Sequence, residues 1–435
     1  MNIATRHWNS LDAEQRRRLL ERSEDDIDSL ISETRDLMEK VRVEGDEALA
    51  ETARAFDRAQ VHADFLAVTT DEIEAAYDKL SKDMHETLSH VIENCRRYHR
   101  PQKPSGMHMN EIRTGVLAGE RVTPIDSVGL YVPRGRGSFP SMLYMLAVPA
   151  VIAGVPRIAI ATPALEDGTV DPACLVAADL CGVSEIYRVG GPAVIAAFAY
   201  GTETIASVRK IVGPGSARVT AAKRIVSGMV DTGPPAGPTE SMIIADSTAD
   251  PWKLSLDLCT EAEHGLDSQA LLVTPSEPIA EAVAEIVPEI TASLPEPRRE
   301  FVESVLGNYG GILLCDSIDQ ACEIANRFAS EHLQIQTVDP WATASAIRDA
   351  GEILIGDNTP FSMANYATGA NAVLPTGGWA HTHGSVSVAD YVKRSSIVHV
   401  TQAGYAELSE HTARMGEYEG FAAHAAAVRM RDRSM

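Results

Sequence analysis

Three short stretches of this sequence hold side chains able to do metal or acid–base chemistry. Glu261-Ala-Glu263-His264 closes an expected helix and leads into Gly265. Residues three apart share a helix face, so Glu261 and His264 could ligate one divalent ion. The same spacing suits a plain helix end, where an imidazole complements the backbone dipole. Glu331-His332 opens an expected strand, ahead of Leu333-Gln-Ile335. An adjacent carboxyl and imidazole could divide proton transfer between them, the imidazole titrating near neutrality. They could equally be an ordinary loop-to-strand pair. His424 lies in Glu419-Gly-Phe-Ala-Ala-His424 near the end of the chain, where a lone histidine in an Ala-rich helix is normally structural. His62, His85, His90, His99 and His108 sit in polar helical or linker sequence.

Glycine loops are the other candidates. No G-x-x-x-x-G-K-[ST] run occurs, which excludes a P-loop. Gly135-Arg136-Gly137 follows an expected strand, but Pro140 stands where a dinucleotide fingerprint needs its third glycine. Gly213-Pro-Gly215-Ser216 follows a strand and opens a helix, whose N–H groups could receive an anion. Either loop could also be a tight turn.

These residues must be positioned by a scaffold of 435 residues, long enough for two or three domains. Acidic residues outnumber basic ones by 61 to 38, a formal charge of -23. Such a surface repels phosphate backbones and anionic lipid, so neither nucleic acid nor a membrane surface is expected as the main partner. The six cysteines are scattered, without a C-x-x-C pair, and read as buried reduced thiols. No apolar run approaches the roughly 20 residues of a spanning helix. The opening MNIATRHWNSLDAEQRRRLL lacks the hydrophobic core of a secretory signal. A soluble, cytoplasmic protein is expected.

Residues 1–110 read as helical and polar, with helical periodicity in Asp26–Val43 and one long run at Glu72–Tyr98 capped by Asp71. Arg100–Met109 reads as a linker or irregular crossing. From about residue 128 short apolar runs alternate with Ala-rich helical stretches, first over 111–236 and again over 237–380. Strands are expected at Val128–Val132, Arg157–Ala161, Glu185–Val189 and Lys210–Val212. In the second unit they fall at Ser241–Ala245, Gln269–Val273, Gly311–Leu314, His332–Thr337 and Ile353–Ile355. That alternation implies α/β architecture, parallel sheets covered on both faces. Thr232-Gly-Pro-Pro-Ala-Gly-Pro238 marks the junction, and residues 381–435 read as a charged helical tail that packs on its own globule or on a second subunit.

Several of these segments also occur together in one order: Gly129-Leu-Tyr131-Val-Pro133, Gly190-Gly191, Gly213-Pro-Gly215, Pro235-Ala-Gly-Pro238, Ala262-Glu-His264-Gly, Glu331-His332-Leu333, Val373-Leu-Pro-Thr376, and Glu419-Gly with His424. In this the chain resembles the histidinol dehydrogenases over nearly its full length. The resemblance implies two incomplete Rossmann-like domains, helical N- and C-terminal tails, and an intertwined homodimer with shared active sites. It implies one Zn2+ per subunit, with NAD as hydride acceptor, and oxidation of a primary alcohol to the acid in two steps. His332 would then be the base that removes the alcohol proton, and Glu331 would activate water. His264 and His424 match zinc ligands, His424 arriving from the other subunit. Glu419 matches a substrate-contacting glutamate, and Tyr131 a residue of the NAD pocket.

Departures from the family pattern are informative. The family places Gln where Glu261 stands and Asp where Asn365 stands, both as zinc ligands, so one carboxylate and one amide persist with exchanged positions. The residues that ligate zinc also touch substrate, which makes Glu261, His264, Asn365 and His424 candidates for both roles. A histidine that contacts the imidazole of histidinol is replaced by Ala372, and a serine near substrate by Thr239. Two NAD-pocket positions, glutamine and asparagine in the family, are Ala193 and Ser216. Arg134 and Arg136 stand where small residues are usual. They could receive an anionic group or face solvent. His381 and His383 would share one face if their segment were extended.

The expected function is therefore a zinc-dependent, NAD-linked dehydrogenase for the primary alcohol of a small polar substrate other than histidinol. An anionic diol is one candidate, since family members that oxidise sulfonated diols show that the scaffold accepts other alcohols. Two further readings stand beside it: authentic L-histidinol dehydrogenase of histidine biosynthesis, and a catalytically silent ligand-binding relative.

Overall fold

The computed structural model describes residues 3–20, 27–135 and 137–431. Asp26, the expected start of the second helix, and Arg136 lie outside the described residues. The described chain sorts by contact into two compact units, one of 1–102 with 125–391, the other of 103–124 with 392–435.

Strand β1 (Thr5–His7) lies near the start of the chain. β2 (Met107–Arg113) and β3 (Val116–Pro124) form an antiparallel hairpin. β4 (Ser127–Tyr131), β5 (Arg157–Ala161), β6 (Glu185–Tyr187) and β7 (Lys210–Val212) make a parallel sheet in the order β6-β5-β4-β7. Next come β8 (Glu240–Ala245), β9 (Gln269–Thr274), β10 (Gly311–Leu314), β11 (His332–Gln336) and β12 (Glu352–Ile355). These join β1 in a second parallel sheet, ordered β1-β10-β9-β8-β11-β12. β13 (Val392–Val400) pairs with β3.

The parallel strands form because they are apolar on both faces, as sheets covered by helices require. In β8, Ile243 and Ala245 pack with Leu254, Leu258 and Val283 on one side. Met242 and Ile244 pack with Phe328, Leu333 and Ile335 on the other. The first sheet packs Ile211 against Val194 and Phe198 in the same manner. This is the expected α/β class. All six cysteines are free thiols, five of them buried, and no helix among the described residues is long and apolar enough to cross a membrane.

Several local expectations are corrected. The run expected as one helix over 72–98 is two, Thr70–Tyr77 and Lys82–His99. Its cap is Thr69, not Asp71, because Thr69 and Glu72 form a reciprocal capping box, and Ser81 restarts the second helix. The amino-terminal region is not wholly helical, since β1 pairs with β10 as an edge strand only three residues long. The tail contains β13, and the expected crossing runs into β2. Both strands are exposed along nearly their whole length, so their sequences carry no alternation that a buried face would impose. The second unit is completed by a pair of helices, Gln402–Tyr418 and Ala422–Arg429.

Candidate functional site

The helix Pro251–Ala262 starts at Asp250, whose side chain caps Trp252, and ends beside the amino-terminal edge of the second sheet. Its last turn carries Glu261, which is fully buried, and His264 follows one residue past the cap. His264 Nδ1 lies 3.5 Å from Glu261 Oε2. Asn365, from the short helix Phe361–Tyr366, donates its amide N–H to Glu261 Oε1 at 2.9 Å. Thus Asn365, 104 residues on in sequence, joins Glu261 and His264 in one cluster. Glu261 Oε2 is enclosed and has no hydrogen-bond partner among the described residues. An enclosed carboxylate oxygen without a donor is costly unless a cation offsets it.

Glu331 and His332 stand at the start of β11, on the same edge of the sheet. Glu331 Oε2 accepts the backbone N–H of Glu240 at 3.0 Å, and its Oε1 lies 3.7 Å from His332 Nε2. His332 Nδ1 is 2.5 Å from Glu352 Oε1 on the neighbouring strand. Burial pushes the Glu331 carboxyl upward, against the opposing influence of His332. For His332 burial works against the charged ring, but Glu331, Glu261 and Glu352 together outweigh it and raise its proton affinity. An imidazole and a carboxyl so placed can each hold or pass a proton.

Both groups open onto a cavity of about 530 Å³, lined by His264, Glu331, His332, Asn365, Thr239 and Ala372. Tyr131, Arg134 and Ser216 line the same cavity from the first sheet. Tyr131 ends β4, and its hydroxyl accepts the N–H of Gly191 at 3.2 Å. Burial moves its phenol up to about 12. Gly213 follows β7 with φ +133°, and a Cβ there would sit 2.0 Å from the Tyr131 carbonyl oxygen, so only glycine lets the loop pass. Ser216 begins the helix Ala217–Val226 without a side-chain cap, which leaves its first N–H groups available to an anion. The first sheet therefore reaches the cavity by its carboxyl ends, the usual ligand side of an α/β sheet. The second reaches it by its amino ends.

Not every expected residue gathers here. Ala193 is fully buried in the first core and does not line the cavity, so it has no surface to offer a cofactor. Arg134 donates to the Ala164 carbonyl at 3.0 Å. His381 and His383 lie in and just after a single 3-10 turn, not an extended segment. His381 is 3.4 Å from Asp349, and His383 packs edge-on against Trp379. Glu419 and His424 belong to the second unit and are exposed there, His424 beside the ring of Phe421.

Two further residues near the site carry no signal in the sequence. Glu352 escaped notice because the apolar run signals only Ile353–Ile355, and the pairing that brings it to His332 is tertiary. His99, one histidine among many in the sequence, is fully buried and lies 3.3 Å from the amide of Asn371. Asn371 in turn bonds the Met145 carbonyl and the Val373 N–H, fixing the loop that presents Ala372.

The sequence model of the family described as histidinol dehydrogenase matches residues 20–432. A protein named histidinol dehydrogenase homolog 2, from Mesorhizobium japonicum, is 49% identical over 434 residues, 99% of each chain. Histidinol dehydrogenase from Synechocystis sp. is 46% identical over 422 residues, 97% of each. The crystal structure of histidinol dehydrogenase from Elizabethkingia anophelis superposes with a TM-score of 0.92 at 32% identity, over 99% of this chain and 98% of that one. The chain belongs to the histidinol dehydrogenase family. That family comprises NAD-dependent, zinc-binding oxidoreductases.

The residues present fit both groups. Glu261 Oε2 is the kind of enclosed oxygen that a cation would satisfy, with His264 and Asn365 at its side. Among the described residues no three His, Cys, Asp or Glu side chains gather as a metal cluster, so this unit offers one carboxylate, one imidazole and one amide. The uncapped helix at Ser216 and the aromatic wall of Tyr131 suit a dinucleotide.

Proposed function

We propose that this chain is a zinc-dependent, NAD-linked dehydrogenase that oxidises the primary alcohol of a small polar substrate, through the aldehyde, to the acid. The observation that carries the proposal is the cluster of buried Glu261 with His264 and Asn365, the latter two lining the same cavity as Glu331 and His332. Glu261, His264 and Asn365 would hold zinc, which supplies Lewis acidity toward a substrate oxygen when bound. Zinc takes four ligands, and the remaining one would be His424 from a second copy of the chain. Glu419 of that copy would contact substrate. The exposure of β2 and β13 in the three-stranded β2–β3–β13 sheet supports such pairing, since so thin a sheet gains stability by docking.

In this reading His332 accepts the hydroxyl proton at Nε2, the nitrogen not engaged by Glu352. Glu331, whose proton affinity is raised by burial, takes a proton from the water that adds to the aldehyde. Tyr131 and Ser216 bind the dinucleotide, which supplies the hydride acceptor for each oxidation. Thr239 and Ala372 shape the substrate end. Ala372 offers no polar atom to an imidazole, and the relative at 49% identity carries the name of a homolog, which together favour a substrate other than histidinol. An anionic diol suits Arg134 at the cavity wall. Free thiols throughout agree with the cytoplasm.

A second reading, authentic histidinol dehydrogenase, is favoured by the 46% identity to the Synechocystis enzyme. A screen of alcohols, histidinol included, followed by NADH absorbance with zinc present separates the two. Turnover of another alcohol at ordinary enzyme rates with poor use of histidinol is expected, and efficient use of histidinol would overturn the first reading. A silent relative predicts no change in melting temperature with NAD, whereas a working site gains about 2.7 kcal/mol at a ligand concentration ~100 times Kd.

A further inference from the structure

We propose that Glu352 is a positioning residue that holds the His332 ring with its Nδ1 proton inward and its Nε2 lone pair toward the cavity. The inference rests on the reading of His332 as the base. β11 and β12 run parallel, with His332 and Glu352 as direct register partners. Side chains at paired positions of neighbouring strands emerge on the same face. The register thus delivers a carboxylate oxygen to within 2.5 Å of Nδ1.

Both side chains are nearly enclosed, 4% and 10% exposed, so the contact is shielded from water and from salt. The main chain that carries the carboxylate is held in place, because the backbone N–H of Glu352 donates to the Glu331 carbonyl at 3.0 Å. Glu352 is therefore tied to Glu331 by its main chain and to His332 by its side chain. His332 also meets the edge of Phe361, ring centroids 5.9 Å apart, which limits ring rotation.

An ionised carboxylate only accepts hydrogen bonds, so it selects the tautomer whose Nδ1 carries hydrogen. A neutral amide in the same place can donate instead, and would permit the opposite tautomer, with Nε2 blocked. The distinction between a structural contact and a positioning one lies there. Glu352→Gln preserves size and hydrogen bonding but removes the selection.

The test compares parent, Glu352→Gln and Glu352→Asp as full-length zinc-loaded protein. For the alcohol found in the screen, kcat of Glu352→Gln should fall on the order of 10²–10⁴-fold with KM little changed. Glu352→Asp should recover part of that loss. The His332 Nδ1 proton, followed by NMR of protein labelled with ¹⁵N-histidine and assigned with His332→Asn, should resonate far downfield in the parent and in Glu352→Asp. It should be lost in Glu352→Gln. A kcat within about threefold of parent, or an unchanged proton signal in Glu352→Gln, overturns the proposal. If no alcohol is turned over by the parent, the functional reading fails, and the proton signal alone decides whether Glu352 sets the tautomer.

Discussion

Asn365 donates its amide to the buried carboxylate of Glu261 at 2.9 Å, so the two positions act as one unit. The resemblance to the family implies the amide at the first position and the carboxylate at the second. Exchanging them here, Glu261→Gln with Asn365→Asp, should retain zinc, because charge and donor types are conserved. Glu261→Gln alone removes the only carboxylate and should weaken zinc binding by at least ~10–100-fold, a loss already typical of supporting residues around a metal. Metal content after dialysis reads both. Equal zinc in the single variant and the parent would remove Glu261 as a ligand.

The proposed roles of the adjacent Glu331 and His332 predict different effects of their substitution. His332→Asn should slow alcohol oxidation by about 10²–10⁴-fold, the usual value of a positioned proton acceptor. Glu331→Gln should spare the first oxidation and slow the second, so that aldehyde accumulates. Single-turnover NADH formation, with trapping of the aldehyde, separates the steps. An unchanged first step in His332→Asn would exclude it as the base.

Ala372 lines the cavity without a polar atom, on a loop that His99 and Asn371 hold in place. Placing a histidine there offers a partner to an imidazole substrate. Such a bond contributes about 1–3 kcal/mol when the alternative is a buried unpaired group. Ala372→His should therefore raise kcat/KM for histidinol by roughly ten- to a hundredfold. No gain with histidinol would show that some other residue sets the preference.

Asp57 gives a pH-dependent expectation away from the metal cluster. Burial moves its carboxyl from 3.8 up to about 6, against the pull of Arg134. Between those values the folded protein binds more protons than the unfolded chain, so this group's contribution to stability falls as pH rises through the window. Asp57→Asn cannot ionise. Its melting temperature should exceed the parent's above pH ~6, and the two should converge near pH ~4. A constant difference across that range would contradict the assignment.

Much of this was legible in the sequence, and the reasons differ by element. Arg157–Ala161, Lys210–Val212 and Gly311–Leu314 fall where their apolar runs predict, because parallel strands buried on both faces leave a compositional mark. β2 and β13 left none, being exposed and mixed in polarity. The acid–imidazole pair and the Glu261–His264 spacing are local and could be read directly. Asn365 entered only through resemblance, and Glu352 not at all, because its meaning depends on which strand lies beside β11. His99 looked like any surface histidine until the fold enclosed it.

The two sheets meet the cavity by opposite ends, and the backbone alone then gives the cleft an electrical direction. On the first sheet's side the helix at Ala217 begins beside Ser216, so its partial positive charge faces that side of the cavity. On the second sheet's side the helix Pro251–Ala262 terminates, and its carbonyl pole turns toward Glu261 and His264. Anion and cation are thereby sorted to their own halves before any side chain is chosen. Substitutions that retune the substrate end, such as those at 239 and 372, leave that sorting untouched.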